Sequence, residues 1–274
     1  MLTEALMRTM WPHADASAPG RIAGFMQTGD AVLTRYGITS DLLVAHAMAQ
    51  FTEECGAGTD LVESLNYSAA GLMKTWPSRF DAARAAAFEH RERAIANEVY
   101  NGRLGNEPGS DDGWTFRGRG ASQLTGRANY AALGKLIGLD LVDNPDLVLQ
   151  PQNFLLCGVA DFIMCGCLPF AAADDVKGVT YHLNGGYNGL DARIAALANW
   201  KAALGIAGAD AHGTLWLQQS LNALGTEPPL IPDGAYGPLT VAAVKAFQLS
   251  HNLEPDGKLG PNTLAAIEAA LGGP

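Results

Sequence analysis

The chain has 274 residues, of which 48% are hydrophobic, and this length is sufficient for one sizeable core and one small one. Its 18 basic and 28 acidic residues give a formal net charge of -10, which makes nucleic acid an unfavourable partner. The four cysteines form no Cys-x-x-Cys pair and the histidines lack zinc-ligand spacing, so we expect neither a metal site nor a cofactor.

The N-terminal segment, MLTEALMRTMWPHADA, is typical of an amphipathic helix. It lacks the basic region, the uninterrupted apolar core and the small-residue cleavage site of an export signal. The most apolar window, residues 154–173, contains Asp161, two glycines and Pro169, which favours a buried helix over a membrane span. We therefore expect no stable membrane insertion and no encoded export route.

Apolar residues at helical spacing predict a helix over residues 41–55, with Gly56 as its stop. Glu54 would lie in the last turn, where the partial negative charge of the helix terminus disfavours an ionised carboxylate and raises its pKa. A carboxyl group kept protonated near neutral pH is suited to protonating a glycosidic oxygen. The alternative is a solvated glutamate at a helix end.

A second glutamate, Glu63, lies nine positions later in a segment predicted to be a loop. Nine extended residues reach about 30 Å, so the two carboxyl groups face one sugar only if the loop folds back across the helix end. Gly56 and Gly58 make such a return feasible. Glu53 competes with Glu54, but neighbouring helical side chains point about 100° apart, so we expect Glu53 to be solvated.

The stretch RGRGASQLTGRANY, residues 117–130, alternates glycines with polar side chains. Glycine permits sharp turns and a close approach to a ligand, while Gln123, Thr125 and Asn129 offer groups suited to sugar hydroxyls and acetamides. We predict a sugar-contacting wall, with a surface turn before a helix as the alternative. A second glycine-rich polar segment, YHLNGGYNGLDAR, spans residues 181–193.

Four motifs, in this order, resemble the family 19 glycoside hydrolases, the chitinase-like group that includes many phage and prophage endolysins. They read AQFTEECGAG, ESLNYSAAGL, GRGASQLTGRANY and LNGG. The resemblance covers roughly residues 1–204 and implies a mainly α, lysozyme-like catalytic domain. Recurrent alanine and leucine at helical spacing agree with that architecture.

The resemblance implies an inverting mechanism, in which Glu54 protonates the leaving oxygen and ionised Glu63 activates water on the opposite face. This geometry requires carboxyl groups roughly 6.5 to 9.5 Å apart. Thr125 would help to hold the water. Glu53 stands where the family usually has histidine, so the tuning of the acid differs here.

Further positions match family residues that bind the substrate or order the active site: Gln123, Asn129 and Asn184. Arg193 matches a nearby basic position. The alternative for Asn184 is a turn residue in Asn-Gly-Gly, and for Arg193 a solvated helix charge.

Near the C-terminus, DGAYGPLT at residues 233–240 and DGKLGPNT at residues 256–263 form a repeat, and each copy precedes an apolar helical pattern. Thr240 and Thr263 are placed to cap those helices. The segment over residues 212–272 resembles the peptidoglycan-binding type 1 module, a small three-helix fold. Residues 205–211 have the composition of a linker. Alternatively, the repeat only makes turns and the module packs on the catalytic domain.

Together these features imply a monomeric, endolysin-type hydrolase that cleaves β-1,4 bonds in the glycan strands of bacterial peptidoglycan. The C-terminal module would hold it on the wall. We expect synthesis in the bacterial cytoplasm and access to the wall through a pore or lysis. The alternatives are a chitinase that uses the same carboxylates and a non-catalytic wall-binding protein.

Overall fold

The computed structural model describes residues 2–206, 214–232, 238–257 and 259–272. These residues form helices joined by turns and loops, and the strand-like pairing among them is limited to two isolated antiparallel bridges. None of the helices in these ranges is long and apolar enough to cross a membrane. The mainly α architecture expected from the sequence is confirmed.

In chain order the helices are α1 (Glu4–Met10), α2 (Ala14–Ser17), α3 (Arg21–Arg35), α4 (Asp41–Glu54), α5 (Ala69–Thr75), α6 (Ala82–Phe88), α7 (Glu92–Tyr100), α8 (Asp112–Thr115) and α9 (Arg127–Ile137). A 3-10 helix at Pro145–Leu149 follows. The remaining helices are α10 (Pro151–Met164), α11 (Leu168–Ala172), α12 (Val176–Asn184), α13 (Leu190–Ala203), α14 (Thr214–Ala223), α15 (Pro238–Ser250) and α16 (Pro261–Ala270).

The chain forms two compact units. The first comprises Met1–Thr39 and Gln50–Leu168, and the second comprises Ser40–Ala49 and Pro169–Pro274. Helix α4 therefore contributes residues to both units. The domain boundaries drawn from the sequence, with a linker over residues 205–211, stay a prediction, and residues 207–211 of that linker lie outside the described ranges.

Helix α10 is the central helix of the first unit. Its side chains are buried around most of its circumference, as expected for a helix that is apolar on all sides. Close packing on α3 depends on Gly24, because a Cβ atom there would overlap the backbone of Pro151. The Trp11 ring meets Phe25 and Phe154 edge-to-face, and the Phe25 and Phe154 rings are tilted against each other at 5.9 Å.

Two apolar clusters fix the segments that carry the candidate site. One packs Phe116, Leu124 and Tyr130 against α9 and α10 and so anchors both ends of the glycine-rich loop. The other, which includes Leu65, Leu72 and Val99, joins α5, α6 and α7. It holds the segment after Glu63 against the C-terminal end of α7.

In the second unit, α14, α15 and α16 enclose a small core that includes Leu217, Val244, Phe247 and Ile267. The expected three-helix fold of the C-terminal segment is confirmed. The capping prediction for the two repeat threonines is wrong for α16, because that helix has Gly260 at its N-cap and begins at Pro261.

The repeat threonines instead lie in the first turn of α15 and α16, where they are buried. Thr240 Oγ1 accepts a hydrogen bond from Gln218 at 3.1 Å, and Thr263 Oγ1 accepts one from Gln248 at 2.9 Å. The repeat therefore encodes a buried glutamine–threonine contact in each copy, which satisfies polar groups inside a small core.

Candidate active site

Glu54 is the last residue of α4, one residue before the predicted helix end. The chain then turns sharply, with left-handed backbone at Gly56, Ala57 and Gly58. The carbonyl oxygen of Cys55 accepts hydrogen bonds from three successive N–H groups of this turn, at 2.9 to 3.0 Å. This turn reverses the chain directly after the helix, which is the return that Gly56 and Gly58 were expected to permit.

The returning segment pairs with the glycine-rich loop. Glu63 N donates to the carbonyl oxygen of Gly118, and Gly120 N donates to that of Leu61, both at 2.9 Å. Val62 and Arg119 form one of the isolated bridges. The structure therefore brings Glu63 to the loop that the sequence predicts to contact sugar.

The carboxylate of Glu63 is held by two donors. Tyr100 Oη donates to Oε1 at 2.6 Å, and Gly118 N donates to Oε2 at 3.2 Å. Burial and the neighbouring Glu63 carboxylate raise the pKa of Tyr100, so its hydroxyl group keeps its proton at physiological pH. The two hydrogen bonds hold the Glu63 carboxyl group in one orientation beside the glycine-rich loop.

Sequence reasoning missed Tyr100. It is the last residue of α7 and lies 37 positions from Glu63 along the chain. The apolar pattern of α7 predicts a helix, but nothing in the local sequence distinguishes this tyrosine from an ordinary core residue. Only the packing of α7 against the segment after Glu63 reveals the contact.

Gly118 is the point where the site residues converge. A Cβ atom at this position would lie 2.9 Å from Gln123 Oε1, 3.3 Å from the Glu63 side chain and 3.4 Å from Thr125 Oγ1. Three of the residues predicted from the sequence, Glu63, Gln123 and Thr125, are therefore neighbours around one bare stretch of backbone. A side chain at this position would push the Gln123 amide aside and crowd Glu63 and Thr125.

The polar side chains of the loop also order the loop itself. Gln123, which has left-handed backbone, donates to the carbonyl oxygens of Asp60 and Gly120 at 3.1 and 3.3 Å. Thr125 Oγ1 donates to Gln123 O, and Asn129 Nδ2 donates to Thr125 O, both at 2.9 Å. These contacts form a chain of hydrogen bonds that fixes the wall next to Glu63.

The two adjacent glutamates differ in exposure. Glu53 is exposed on α4, whereas Glu54 is half-buried. This arrangement agrees with the expectation that one of them is solvated while the other enters the fold.

Asp161 is a second carboxyl group that the sequence did not assign to the site. It lies on α10 with 7% of its surface exposed, and it receives hydrogen bonds from Ser122 in the glycine-rich loop and from the thiol of Cys165. Burial raises the pKa of Asp161 to about 6, in spite of those hydrogen bonds, and the charge of Glu54 adds to the rise. Because Asp161 lies in an apolar helical pattern, the sequence indicated only that this helix does not span a membrane. It did not indicate a position near the site.

Asn184 and Arg193 belong to the second unit. Asn184 is half-buried at the end of α12 and is followed by Gly185 in left-handed conformation, as in a glycine-capped helix. Arg193 is only 2% exposed on α13, and its Nε atom donates to Asn188 O at 3.1 Å. It is therefore a buried residue, and the alternative of a solvated helix charge is wrong.

The described residues contain no cluster of three or more His, Cys, Asp or Glu side chains that could hold a metal ion. The described part of the site presents carboxyl, hydroxyl and amide groups. Glu54 and Asp60 lie at the two ends of the turn, Glu63 lies beside the loop, and Asp161 is buried on α10.

Comparison with known proteins places the chain in a family. Residues 75–176 match the family described as chitinase class I, and residues 213–267 match the family described as a putative peptidoglycan binding domain. A glycosyl hydrolase family 19 domain-containing protein of Haemophilus influenzae is 35% identical over 195 residues, which cover 70% of this chain and 92% of that protein. An acidic endochitinase of Solanum lycopersicum is 56% identical over 46 residues, which cover 17% of each chain.

The fold is also that of a solved structure, chitinase C from Streptomyces griseus. The match has a TM-score of 0.50 at 17% sequence identity and covers 74% of this chain and 92% of that one. The chain therefore belongs to glycoside hydrolase family 19 and is a glycosidase with a C-terminal domain of the peptidoglycan-binding family.

Proposed function

We propose that this glycosidase hydrolyses β-1,4 bonds in the glycan strands of bacterial peptidoglycan, with Glu54 as general acid and Glu63 as general base. The observation that carries the proposal is the setting of Glu63. Its carboxylate is held by Tyr100 and Gly118 beside the loop that carries Gln123 and Thr125. The family membership and the C-terminal domain support a cell-wall glycan as the substrate.

In this mechanism Glu63 removes a proton from water. Tyr100 and the Gly118 N–H group hold its carboxylate in place and leave further lone pairs to accept a hydrogen bond from the water. The Thr125 hydroxyl group donates its own proton to Gln123 O, so its oxygen can accept from the same water. Held by two acceptors, the water would direct a lone pair at the anomeric carbon.

Glu54 supplies the proton that the leaving oxygen needs. Its position at the C-terminal end of α4 disfavours negative charge, because the carbonyl groups of the last turn point there. After bond cleavage, Glu54 is ionised and Glu63 is protonated, so one proton exchange with solvent restores the enzyme. The expected product has the inverted configuration at the anomeric carbon.

A chitinase activity is the second candidate. It is favoured by the likeness of one segment to plant endochitinases. Both polymers carry N-acetyl groups, so the groups around Gly118 suit either one. The C-terminal domain favours the cell wall as the substrate.

We propose an endolysin-type role in which a monomer, made in the bacterial cytoplasm, reaches the wall through a pore or lysis.

Product analysis tests this proposal. Purified peptidoglycan and N-acetylglucosamine oligomers are each treated with wild type, Glu54→Gln and Glu53→Gln, and new reducing ends are identified by mass spectrometry. We expect peptidoglycan to yield new muramic acid or glucosamine reducing ends, with a rate at least about 100-fold lower for Glu54→Gln. The exposed neighbour Glu53 is the matched control and should retain activity.

Two results would contradict the proposal. Cleavage of the N-acetylglucosamine oligomers alone would identify a chitinase. Equal loss of activity in Glu53→Gln and Glu54→Gln would remove the assignment of Glu54 as the acid.

A further inference from the structure

A row of aromatic rings follows the end of α12 and the turn after it. Tyr181 and Tyr187 are 51% and 58% exposed, yet their ring centroids lie only 5.5 Å apart, at an interplanar angle of 41°. Large apolar side chains exposed next to one another on a protein surface often mark a binding site. Neither tyrosine has a part in the mechanism described above.

The Tyr181 side of this row packs against other side chains of the fold. The Tyr181 ring meets His182 edge-on, with centroids 6.1 Å apart, and His182 lies against Phe170 at 4.3 Å. Phe170 in turn packs directly on Gly178, where a Cβ atom would overlap its ring. The exposed rings are therefore attached to a packed helix face, which reduces the entropy lost when a ligand binds.

The turn that joins the two tyrosines contains Gly185 and Gly186. Among the residues that the structure describes, none outside the turn places a heavy atom within 4 Å of the position where a Cβ would be on either glycine. A ligand can therefore approach the backbone beside the rings. Asn184, half-buried at the start of the turn, adds an amide that can both donate and accept hydrogen bonds.

We propose that Tyr181 and Tyr187 form a stacking platform for the N-acetylated sugars of a glycan strand. This proposal rests on the proposed function and adds a subsite for the same polymer. The apolar faces of the two rings suit the C–H faces of pyranose rings and the acetamide methyl group, while the Tyr hydroxyl groups and Asn184 suit the sugar hydroxyls. Residues 183–190 carry no ionisable side chain other than that of Tyr187, which matches an uncharged segment of glycan.

Calorimetric titration of the full-length Glu54→Gln protein tests the platform, because this background keeps the probe intact. The probes are peptide-free glycan strands prepared from peptidoglycan and, separately, N-acetylglucosamine oligomers. We expect the Tyr181→Ala/Tyr187→Ala double variant to bind the better of the two probes about tenfold more weakly. The Tyr181→Phe/Tyr187→Phe variant keeps the rings and should bind within about twofold of the parent.

The same tyrosine substitutions in the otherwise wild-type enzyme should raise KM with little change in kcat, since the platform binds the ground state and the transition state equally. Because both side chains are exposed, the alanine variants should unfold at the parent's temperature. Calorimetric binding does not require hydrolysis, so loss of binding on alanine substitution would support the platform even if the enzyme cleaved neither polymer.

Three outcomes would overturn the platform. The first is a Tyr181→Ala/Tyr187→Ala variant that hydrolyses the substrate normally, with the same affinity for the glycan probes and the same KM as the parent. The second is a phenylalanine variant as weak as the alanine variant, which would assign the effect to the hydroxyl groups. The third is a concentration-dependent dimer that the alanine substitutions dissolve, since this would identify the rings as a contact between two copies of the chain.

Discussion

At the scale of single residues, the contact between Tyr100 and Glu63 is the most consequential in the site. The 2.6 Å hydrogen bond holds the carboxylate of the proposed base in one orientation. A hydrogen bond to a charged group contributes roughly 1.5 to 3 kcal/mol. We therefore expect Tyr100→Phe to lower kcat about 10- to 100-fold with little change in KM, because the base loses its orientation while the sugar contacts remain.

Steady-state kinetics on soluble glycan fragments measures this effect. Tyr36→Phe is the matched control, because the Tyr36 hydroxyl group is buried and has no hydrogen-bond partner in the described part of the chain. Its removal should leave kcat unchanged. A Tyr100→Phe enzyme with wild-type kcat would show that Glu63 does not depend on this contact, and would weaken its assignment as the base.

Asp161 makes stability depend on pH. Its pKa is raised by burial, from an ordinary value of about 3.8 to about 6, so the folded protein binds the proton more tightly than the unfolded chain does. The stabilisation is fully present below about pH 4 and is lost as the pH rises through 6. Asp161→Asn should remove this loss and raise the free energy of unfolding at pH 7 by at most about 3 kcal/mol.

Denaturant unfolding between pH 4 and pH 7 tests whether the free energy of unfolding falls as the pH rises. The wild type should lose stability over this range by more than Asp161→Asn does, and the exposed control Asp30→Asn should follow the wild type. Parallel curves for wild type and Asp161→Asn would show that the buried carboxyl group titrates near its ordinary pKa.

At the scale of elements, local sequence patterns predict where helices and turns lie, but they do not predict contacts between segments that are distant in sequence. The spacing of apolar residues over 41–55 predicted α4 to within one residue, and Gly56 marked its end because left-handed backbone follows. Glycine in the loop marked the close approach at Gly118. Both signals act within a few residues, so a sequence can display them.

Tyr100, Asp161 and the repeat threonines lie beyond that range. Tyr100 on α7 contacts Glu63, and Asp161 on α10 contacts Ser122, only because each helix packs against a loop that is distant in sequence. Thr263 is a residue type that often caps helices, but α16 already begins at Pro261 with Gly260 as its N-cap. Thr263 therefore lies inside the helix and accepts a hydrogen bond from the buried Gln248. Side-chain type alone cannot distinguish these roles, because tertiary packing decides them.

That buried glutamine offers a test of the C-terminal helices. Gln248 donates to Asp256 Oδ1 at 2.8 Å and to Thr263 Oγ1 at 2.9 Å, and it accepts from Gly257 N at 2.8 Å. Gln248→Ala leaves these partners unsatisfied in a small core, so we expect the three-helix fold to lose about 2 to 4 kcal/mol of stability. Cosedimentation with insoluble peptidoglycan should then fall, while cleavage of soluble glycan fragments persists.

Gln219→Ala is the control for this test, because Gln219 is exposed on α14, one position from Gln218. It should leave both cosedimentation and cleavage unchanged. If Gln248→Ala unfolded these helices at a lower temperature yet cosedimented as the wild type does, wall binding would reside elsewhere in the chain.

At the scale of the whole molecule, the composition and the two families point to recognition by specific contacts. A formal net charge of -10 gives no general attraction to an anionic cell envelope. Binding must then come from sugar or peptide contacts, to which the C-terminal domain and the tyrosine platform would both contribute. The family and the fold of the chain could be predicted from four ordered motifs, whereas the proposed platform required the ring geometry.

The central claim is an inverting reaction carried out by Glu54 and Glu63. Proton NMR of the first product formed by the wild-type enzyme from a soluble β-1,4-linked glycan fragment tests it most directly, before mutarotation mixes the anomers. The account predicts that the α-anomer appears first, because water attacks the face opposite the leaving group. Initial release of the β-anomer would contradict it and would indicate a retaining mechanism with a covalent intermediate.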